Sequence, residues 1–579
     1  MIASPGATHV SKKRPLEEFP TPQFRRDGYL PLNGPWEFEI TKSEDFPAAF
    51  RKSILVPFAV ETELSGIGQR VCKDDVLHYR RAISVPPSFN RGRMFLHFQA
   101  VDQVADVYLN GLKIGHHEGG YLPFVIELTS MHRDENIIDV VVKDDTDSPI
   151  YPRGKQKDKR GGIWYTPTSG IWQSVWLEST PVERIRDFKI TPDFQQKTVR
   201  FQLEFEGKIR SGRAYISCNG KAVTDVAIDE NGYAEASLTN YFRPWSPDSP
   251  TLYDVRFEVN NDLVYSYFAM REFGKIDLMG HNVFALNGKP LFLSGVLDQG
   301  YWPESGLTPP TDESILADLN LLKSMGFNMV RKHIKIEPMR WYYHCDRLGL
   351  IVMQDLVNGG APYKNFLIYT APFISYRFND EKKGTIKTLG REKEASRRFF
   401  LSELEGTVQA LYNVPSIAIW TIFNEGWGQF QTQEALKRLK GIDATRLVDA
   451  NSGWYDQKVG DFNSRHLYFQ KLKVMRRKLD DRILSLSEFG GYSLQFQGHV
   501  FSKKAFGYKK FEGQKELNTA ISKLYLEQVV PLLKDGLSIS VYTQLSDVED
   551  EINGLVTYDR KIQKVDVAVM QKIHRSLHF

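Results

Sequence analysis

The sequence predicts a multidomain chain: a jelly-roll β-sandwich over residues 1–183, an immunoglobulin-like β-sandwich over residues 184–275 and a (β/α)8 TIM barrel over residues 276–579. Three observations carry that expectation. A chain of 579 residues, 41% of them hydrophobic, is too long for one ordinary domain and apolar enough for several cores. Up to about residue 275 the apolar residues fall in short β-rich runs with no helical period. Beyond Lys275 strand-like and helix-like runs alternate, which calls for a parallel sheet, and eight strand candidates can be counted, the number that closes a barrel.

In the first block the strands are LHYRRAISV, GRMFLHFQA, VADVYLNG, YLPFVIELT and NIIDVVVKD, with Asn110-Gly111 as a tight-turn dipeptide. Two packed sheets of the jelly-roll kind suit them. Trp164, Tyr165 and Trp172 are expected in the core or against the barrel, with stacking on sugar as their other use. The second block, from DFKITPDF to LVYSYFAMREFG, suits an immunoglobulin-like spacer without a disulfide, and no chemistry is assigned to it.

The barrel strands are expected at Leu291 to Leu297, Met329 to Lys332, Leu350 to Leu356, Ile417 to Phe423, Leu447 to Ala450, His466 to Phe469, Ile483 to Ser487, and Ser538 to Leu545. Between the first two, TDESILADLNLLKSMG reads as an outer helix. Thr311 or Asp312 caps it, Ile315, Leu319, Leu322 and Met325 form its apolar stripe, and Gly326 stops it. The fifth and sixth strands have no clear helix between their neighbours. Two long connections are read as pocket walls, because aromatic residues in a long loop argue for order. One runs from Val357 to about Gly390 with Tyr363, Phe366, Tyr369, Phe373, Tyr376 and Phe378; the other, from Gly490 to about Gln514, mixes aromatics with Lys503, Lys504, Lys509 and Lys510.

Composition narrows the function. A formal net charge of +4 without a long basic run gives a nucleic-acid partner little support. No stretch approaches the length of a membrane span. Cys72, Cys218 and Cys345 lie far apart, which excludes a disulfide framework and a Cys-rich metal site, and no cofactor or metal is expected. The first residues hold no apolar h-region, so a reduced, cytoplasmic setting fits, and a homo-oligomer is compatible with the sequence.

The chemistry gathers at SIAIWTIFNEGWG, Ser416 to Gly428. Ile417 to Phe423 reads as a strand buried on both faces, and Asn424 and Glu425 end it before Gly426 and Gly428 turn the chain. Polar groups at the carboxyl end of a core strand are where barrels keep their chemistry. Trp420, Phe423 and Trp427 argue for a buried acid with a raised pKa.

The motif W-x-x-x-N-E after a buried strand resembles the acid/base signature of glycoside hydrolase family 2, the family of bacterial β-galactosidases and β-glucuronidases. The passages Asn110 to Thr129 and Gly161 to Glu178 resemble the sugar-binding-like first domain of that family, and PWSPDSPTLY a passage of its second. The resemblance implies hydrolysis of a glycosidic bond between two carboxyl groups. The second carboxyl is supplied by ILSLSEFGG, where Glu488 ends the seventh strand. Glu488 is then the nucleophile, Glu425 the acid/base and Asn424 a hydrogen-bond partner of the sugar 2-hydroxyl. Arg331 and His333 share one side of the second strand by period-two spacing and match an Arg and a His of the family. His466 and Tyr468 resemble its His-x-Tyr, while Tyr542 falls where relatives carry Trp. Asp298, and Asp547 or Glu549, are further candidates for sugar hydroxyls.

DVEDEINGLVTYDRK lacks the Asn-x-Lys with which β-glucuronidases bind the sugar carboxylate, so a β-galactoside is the expected substrate and a glucuronide or galacturonide the alternative, with the lysines after Glu488 as another source of charge. A carbohydrate-binding protein whose barrel has lost activity is the reading of another class. The pairing of Glu425 with Glu488 argues against it.

Overall fold

A computed structural model of the chain describes residues 2–128, 135–364, 366, 378–472 and 480–579. Thr129, Tyr369, Phe373 and Tyr376, named above, lie outside the described residues.

The first sandwich pairs a six-stranded antiparallel sheet with a four-stranded one. Alternation builds its core: along Val104–Leu109 the residues Ala105, Val107 and Leu109 turn inward to meet Trp36, Phe38, Tyr79 and Leu96. Asn110 and Gly111 both take positive φ, +52° and +83°, as a type I′ turn requires. The stretch before Tyr29 departs from the expected β-structure. It runs across the other domains, where Ser4 N donates to Glu304 Oε2 at 3.0 Å and Arg25 N donates to Tyr265 O at 3.0 Å.

The second sandwich packs a three-stranded sheet on a four-stranded one. Phe188, Phe201, Phe257 and Phe268 fill the space between them, and Cys218 is free. A small antiparallel sheet, Phe273–Leu278, His281–Leu286 and Lys289–Pro290, then precedes the barrel, where the sequence suggested alternating strands and helices from Lys275 onward.

All eight barrel strands form, in the expected order: β1 (Leu293–Asp298), β2 (Met329–Lys332), β3 (Ile351–Asp355), β4 (Ile417–Asn424), β5 (Leu447–Ser452), β6 (Phe462–Leu467), β7 (Ile483–Gly490) and β8 (Leu537–Thr543). They make one parallel sheet running β5-β4-β3-β2-β1-β8-β7-β6. At the remaining seam Ser464 Oγ donates to Asp449 Oδ2 at 2.6 Å and Val448 N to Asp461 Oδ2 at 2.8 Å, so side chains do much of the work of a strand ladder between β5 and β6. Leu293, Leu297, Met329, Met353, Ile419, Phe462, Ile539 and Val541 fill the interior, with Phe273, Phe284 and Leu286 of the small sheet packed against them.

Helix α1 (Asp312–Met325) is the one expected: Thr311 Oγ1 accepts from Ser314 N at 3.1 Å, and Gly326 caps the far end at φ +97°. Two expectations need correction. A helix, α2 (Thr432–Ile442), does separate β4 from β5; Ala435 and Leu439 give it a narrow apolar stripe between charged residues. The sixth strand begins at Phe462, four residues before the expected His466, because Asn463 and Ser464 are buried polar residues that conceal it.

Candidate active site

The carboxyl ends of β2, β3, β4, β6 and β7 meet around Arg331. Met329, Arg331 and His333 alternate inward along β2 and its end, and the Arg331 guanidinium is fully buried. It donates to Asp355 Oδ1 and Oδ2, both at 3.0 Å, to Ser487 O at 2.9 Å, to Glu488 Oε1 at 3.1 Å and to Asn424 Oδ1 at 2.8 Å. Burial opposes its charge, but Asp355 and Glu488 more than offset that and hold the group above its ordinary value. A single rigid fork thus fixes a carboxylate and an amide on different strands.

Glu488 lies where the β7–β8 ladder slips between Leu486 and Phe489. Such an irregularity re-aims side chains, and Ser487 and Glu488 in succession reach the barrel mouth. Ser487 Oγ accepts from Ser452 Oγ at 2.9 Å, while Glu488 takes Arg331 on one oxygen and the Tyr468 hydroxyl on the other. Tyr468 Oη also lies 3.0 Å from Thr543 Oγ1.

Glu425 follows β4 with φ +53°, a left-handed conformation that costs about 1 kcal/mol for a residue with a Cβ and turns the carboxyl back over the barrel. Burial raises its pKa to about 7, although Lys155 and Arg331 pull the other way. Its Oε1 lies 2.8 Å from His466 Nδ1. Burial lowers His466 to about 3, so the imidazole is neutral near pH 7, and its Nε2 lies 3.4 Å from Arg331 Nη1 and 3.5 Å from Glu488 Oε1. Nε2 also lies 3.2 Å from Ser452 Oγ, so the ring is held between Glu425 and the end of β5. His333, likewise lowered to about 3 by burial, sets Nδ1 2.8 Å from Asp355 Oδ2.

Oxygens of Glu425 and Glu488 and a His466 nitrogen lie within 4.8 Å of one another. Among the described residues this triad could also close on a metal ion. Arg331 beside Glu488 already supplies positive charge there.

The walls come from both long connections and from the first sandwich. Tyr363 faces Trp427 nearly parallel, with centroids 6.3 Å apart, and Tyr508 stacks on Tyr468 at 3.8 Å. Trp164 lies 5.3 Å from Trp427, so it packs onto the barrel, as one reading expected, and Trp172 is buried. Lys503, Lys504, Lys509 and Lys510 are exposed.

The structure therefore brings together Glu425, Glu488, Asn424, Arg331, His333, His466 and Tyr468, but not Tyr542 or Asp298. On β8 the inward residues are Ile539 and Val541, and Thr543 follows on the same face, so Tyr542 points outward onto Phe489 and Tyr525. Asp298 follows the inward Leu297 and so faces outward, where Lys332 Nζ donates to it at 2.5 Å within a buried ionic cluster that includes Glu337. Asp547 is held by Lys564, and Glu549 accepts from Thr166 N and Arg160. Asp355, Tyr508, Thr543 and Lys155 were missed. Parity along β3 and β8 marks the first and third, since Met353 precedes Asp355 as Val541 precedes Thr543.

Three family models match the chain: "Glycosyl hydrolase 2 galactose-binding domain-like" over residues 52–168, "Glycosyl hydrolases family 2" over 183–271, and "Glycosyl hydrolases family 2, TIM barrel domain" over 278–486. A β-galactosidase of Thermoanaerobacter pseudethanolicus is 28% identical over 300 residues, 48% of this chain and 39% of that protein. A β-galactosidase of Thermoanaerobacterium thermosulfurigenes is 25% identical over 353 residues, 56% of this chain and 48% of that protein, so the chain spans less than half the length of these relatives. Among solved structures, a β-glucuronidase of an uncultured Clostridium superposes with a TM-score of 0.74 at 18% identity, covering 96% of this chain and 99% of its own. That likeness shows the fold.

Proposed function

The chain belongs to glycosyl hydrolase family 2, and from that premise we propose that it is a retaining exo-β-glycosidase whose nucleophile is Glu488 and whose acid/base is Glu425. The observation that carries the reading is the pair of carboxyl groups, within 4.8 Å of each other but in contrasting surroundings. Retaining enzymes hold their two carboxyls about 5 Å apart, too close for a water between them and the sugar. Glu488 receives a guanidinium and a phenol, donors suited to an ionised carboxylate, and attacks the anomeric carbon. Glu425, neutral through burial, gives its proton to the leaving oxygen; the carboxylate so formed then takes a proton from the water that releases the sugar.

Asn424 is oriented for the same task. Arg331 holds its Oδ1, and its buried Nδ2 has no partner, so the amide N–H is left for the sugar 2-hydroxyl, a contact that strengthens in the transition state. The intact polar floor speaks against an inactive binding protein. Both a terminal galactose and a uronic acid fit this floor, since the glycone's far end meets the walls. The sequence relatives named above are β-galactosidases and the structural one a β-glucuronidase.

The test is a panel of chromogenic β-glycosides, with proton NMR of the first product. The β-anomer should appear first, and Glu488→Gln and Glu425→Gln should each lower turnover by orders of magnitude without unfolding the chain. Azide should rescue the Glu425 variant as a β-glycosyl azide. An α-anomer appearing first would overturn the assignment.

A further inference from the structure

Resting on the glycosidase reading, we propose that the sugar removed by this chain carries a carboxylate, and that Lys155 of the first sandwich receives it together with the Trp427 indole N–H.

Lys155 is anchored against the barrel. Arg153 N and Gly154 N both donate to Asn358 O at 2.9 Å, and Tyr165 N donates to Lys155 O at 3.0 Å. Gly154 has φ +62°, and a Cβ there would meet Ile334 O at 2.8 Å, so this close approach requires glycine. The side chain is 6% exposed, and its ammonium lies over the rings of Trp427, Trp164 and Tyr165, 4.8, 5.8 and 6.0 Å from their centroids.

What sets this lysine apart is its lack of a counterion. Among the described residues Lys332, Lys335 and Lys564 are also buried, and each is paired. Lys332 donates to Asp298 and Glu337, Lys335 to Glu337 and two carbonyls, and Lys564 to Asp547 and two carbonyls. No carboxylate of a described residue lies within ion-pair distance of Lys155. Aromatic faces offset part of the cost of burying an ammonium, but they accept none of its hydrogen bonds. Glu425, on which its field acts, is itself neutral up to about pH 7.

A second donor on the same wall is also unmatched: Trp427 Nε1 is buried without a partner. Ammonium and indole can only donate. Two unmatched donors, one of them charged, call for a ligand that is rich in acceptors and negative. A sugar hydroxyl would satisfy a hydrogen bond and leave the charge uncompensated, whereas a uronate supplies two acceptor oxygens and the charge. The exposed lysines after Glu488 have neither the burial nor the enclosure for this task.

The experiment compares kcat/KM for nitrophenyl β-galactoside, β-galacturonide and β-glucuronide, in the parent and in Lys155→Met, Lys155→Arg and Trp427→Phe. One of the uronides should be the parent's best substrate. The ratio of uronide to neutral kcat/KM should fall at least about a hundredfold in Lys155→Met and about tenfold in Trp427→Phe, with Lys155→Arg between them and the parent. Free galacturonate or glucuronate, unlike galactose, should raise the Tm of Glu488→Gln, a readout that needs no Lys155 variant to fold. A parent that prefers the galactoside would overturn the proposal and leave the glycosidase reading standing. So would a Lys155→Met variant that slows both substrate classes by one factor, since Lys155 would then serve Glu425 alone. A chain that binds uronate tightly and hydrolyses nothing would uphold the receptor and sink the glycosidase.

Discussion

Glu425→Gln should stabilise the protein as it inactivates it. Burial holds this carboxyl at about 7, against an ordinary 4.5. Between those values the folded chain keeps a proton that the unfolded chain has released, so stability falls as pH rises from about 4.5 to about 7 and stays lowered above. At about 1.36 kcal/mol per pKa unit the full cost is about 3 kcal/mol. Glutamine has nearly the same shape, can meet His466 Nδ1 with either end of its amide and has no charge to bury, so the variant escapes that cost. For a barrel of this size the gain corresponds to roughly 5 to 10 °C in Tm. Thermal unfolding of both proteins, from about pH 4.5 to about pH 8.5, should show the curves coinciding at the acid end and separating until the gap levels off above about pH 7. Over the same range the parent's kcat/KM should fall about tenfold per pH unit above about 7, because a general acid needs its proton. A gap that does not grow with pH, or a parent more stable than the variant at about pH 8, would refute the buried neutral acid.

Other consequences are as open to measurement. Arg331→Met leaves Asp355 buried with only the neutral His333 beside it, so stability should drop by roughly 3–5 kcal/mol, and kcat/KM by at least about a hundredfold as Glu488 and Asn424 lose a charged donor; an unchanged Tm with near-normal rates would contradict it. Asn424→Ala should slow a substrate bearing the 2-hydroxyl by about tenfold to a hundredfold and leave a 2-deoxy substrate no slower than in the parent. Equal losses on both would show that the amide only closes the turn. EDTA alone should leave rates unchanged, whereas Zn2+ should inhibit by binding Glu425, His466 and Glu488, and EDTA should reverse that. Loss with EDTA and recovery with a divalent ion would show that the triad needs its metal.

Much of the fold was legible because buried parallel strands announce themselves as apolar runs, and seven of the eight needed only small adjustments at their ends. The sixth did not: it opens with the buried polar residues Asn463 and Ser464, the latter satisfied by Asp449, and an apolar count cannot see that. The two glutamates were legible from their place at strand ends, and Arg331 with His333 from period-two spacing. The same spacing, carried along β8 and β1, would have turned Tyr542 and Asp298 outward. Lys155 was beyond reach. It belongs to another domain, 270 residues before Glu425, and only the packing of sandwich on barrel brings it to the pocket.

The central claim is that Glu488 forms a bond to sugar while Glu425 does not. A 2-deoxy-2-fluoro β-glycoside with a good leaving group slows release of the glycosyl-enzyme, so the adduct can be digested and its peptides weighed. The added mass should lie on the peptide containing Ile483 to Gly490, at Glu488, and be absent in Glu488→Gln. A label on Glu425, or stoichiometric inactivation of Glu488→Gln, would contradict the assignment.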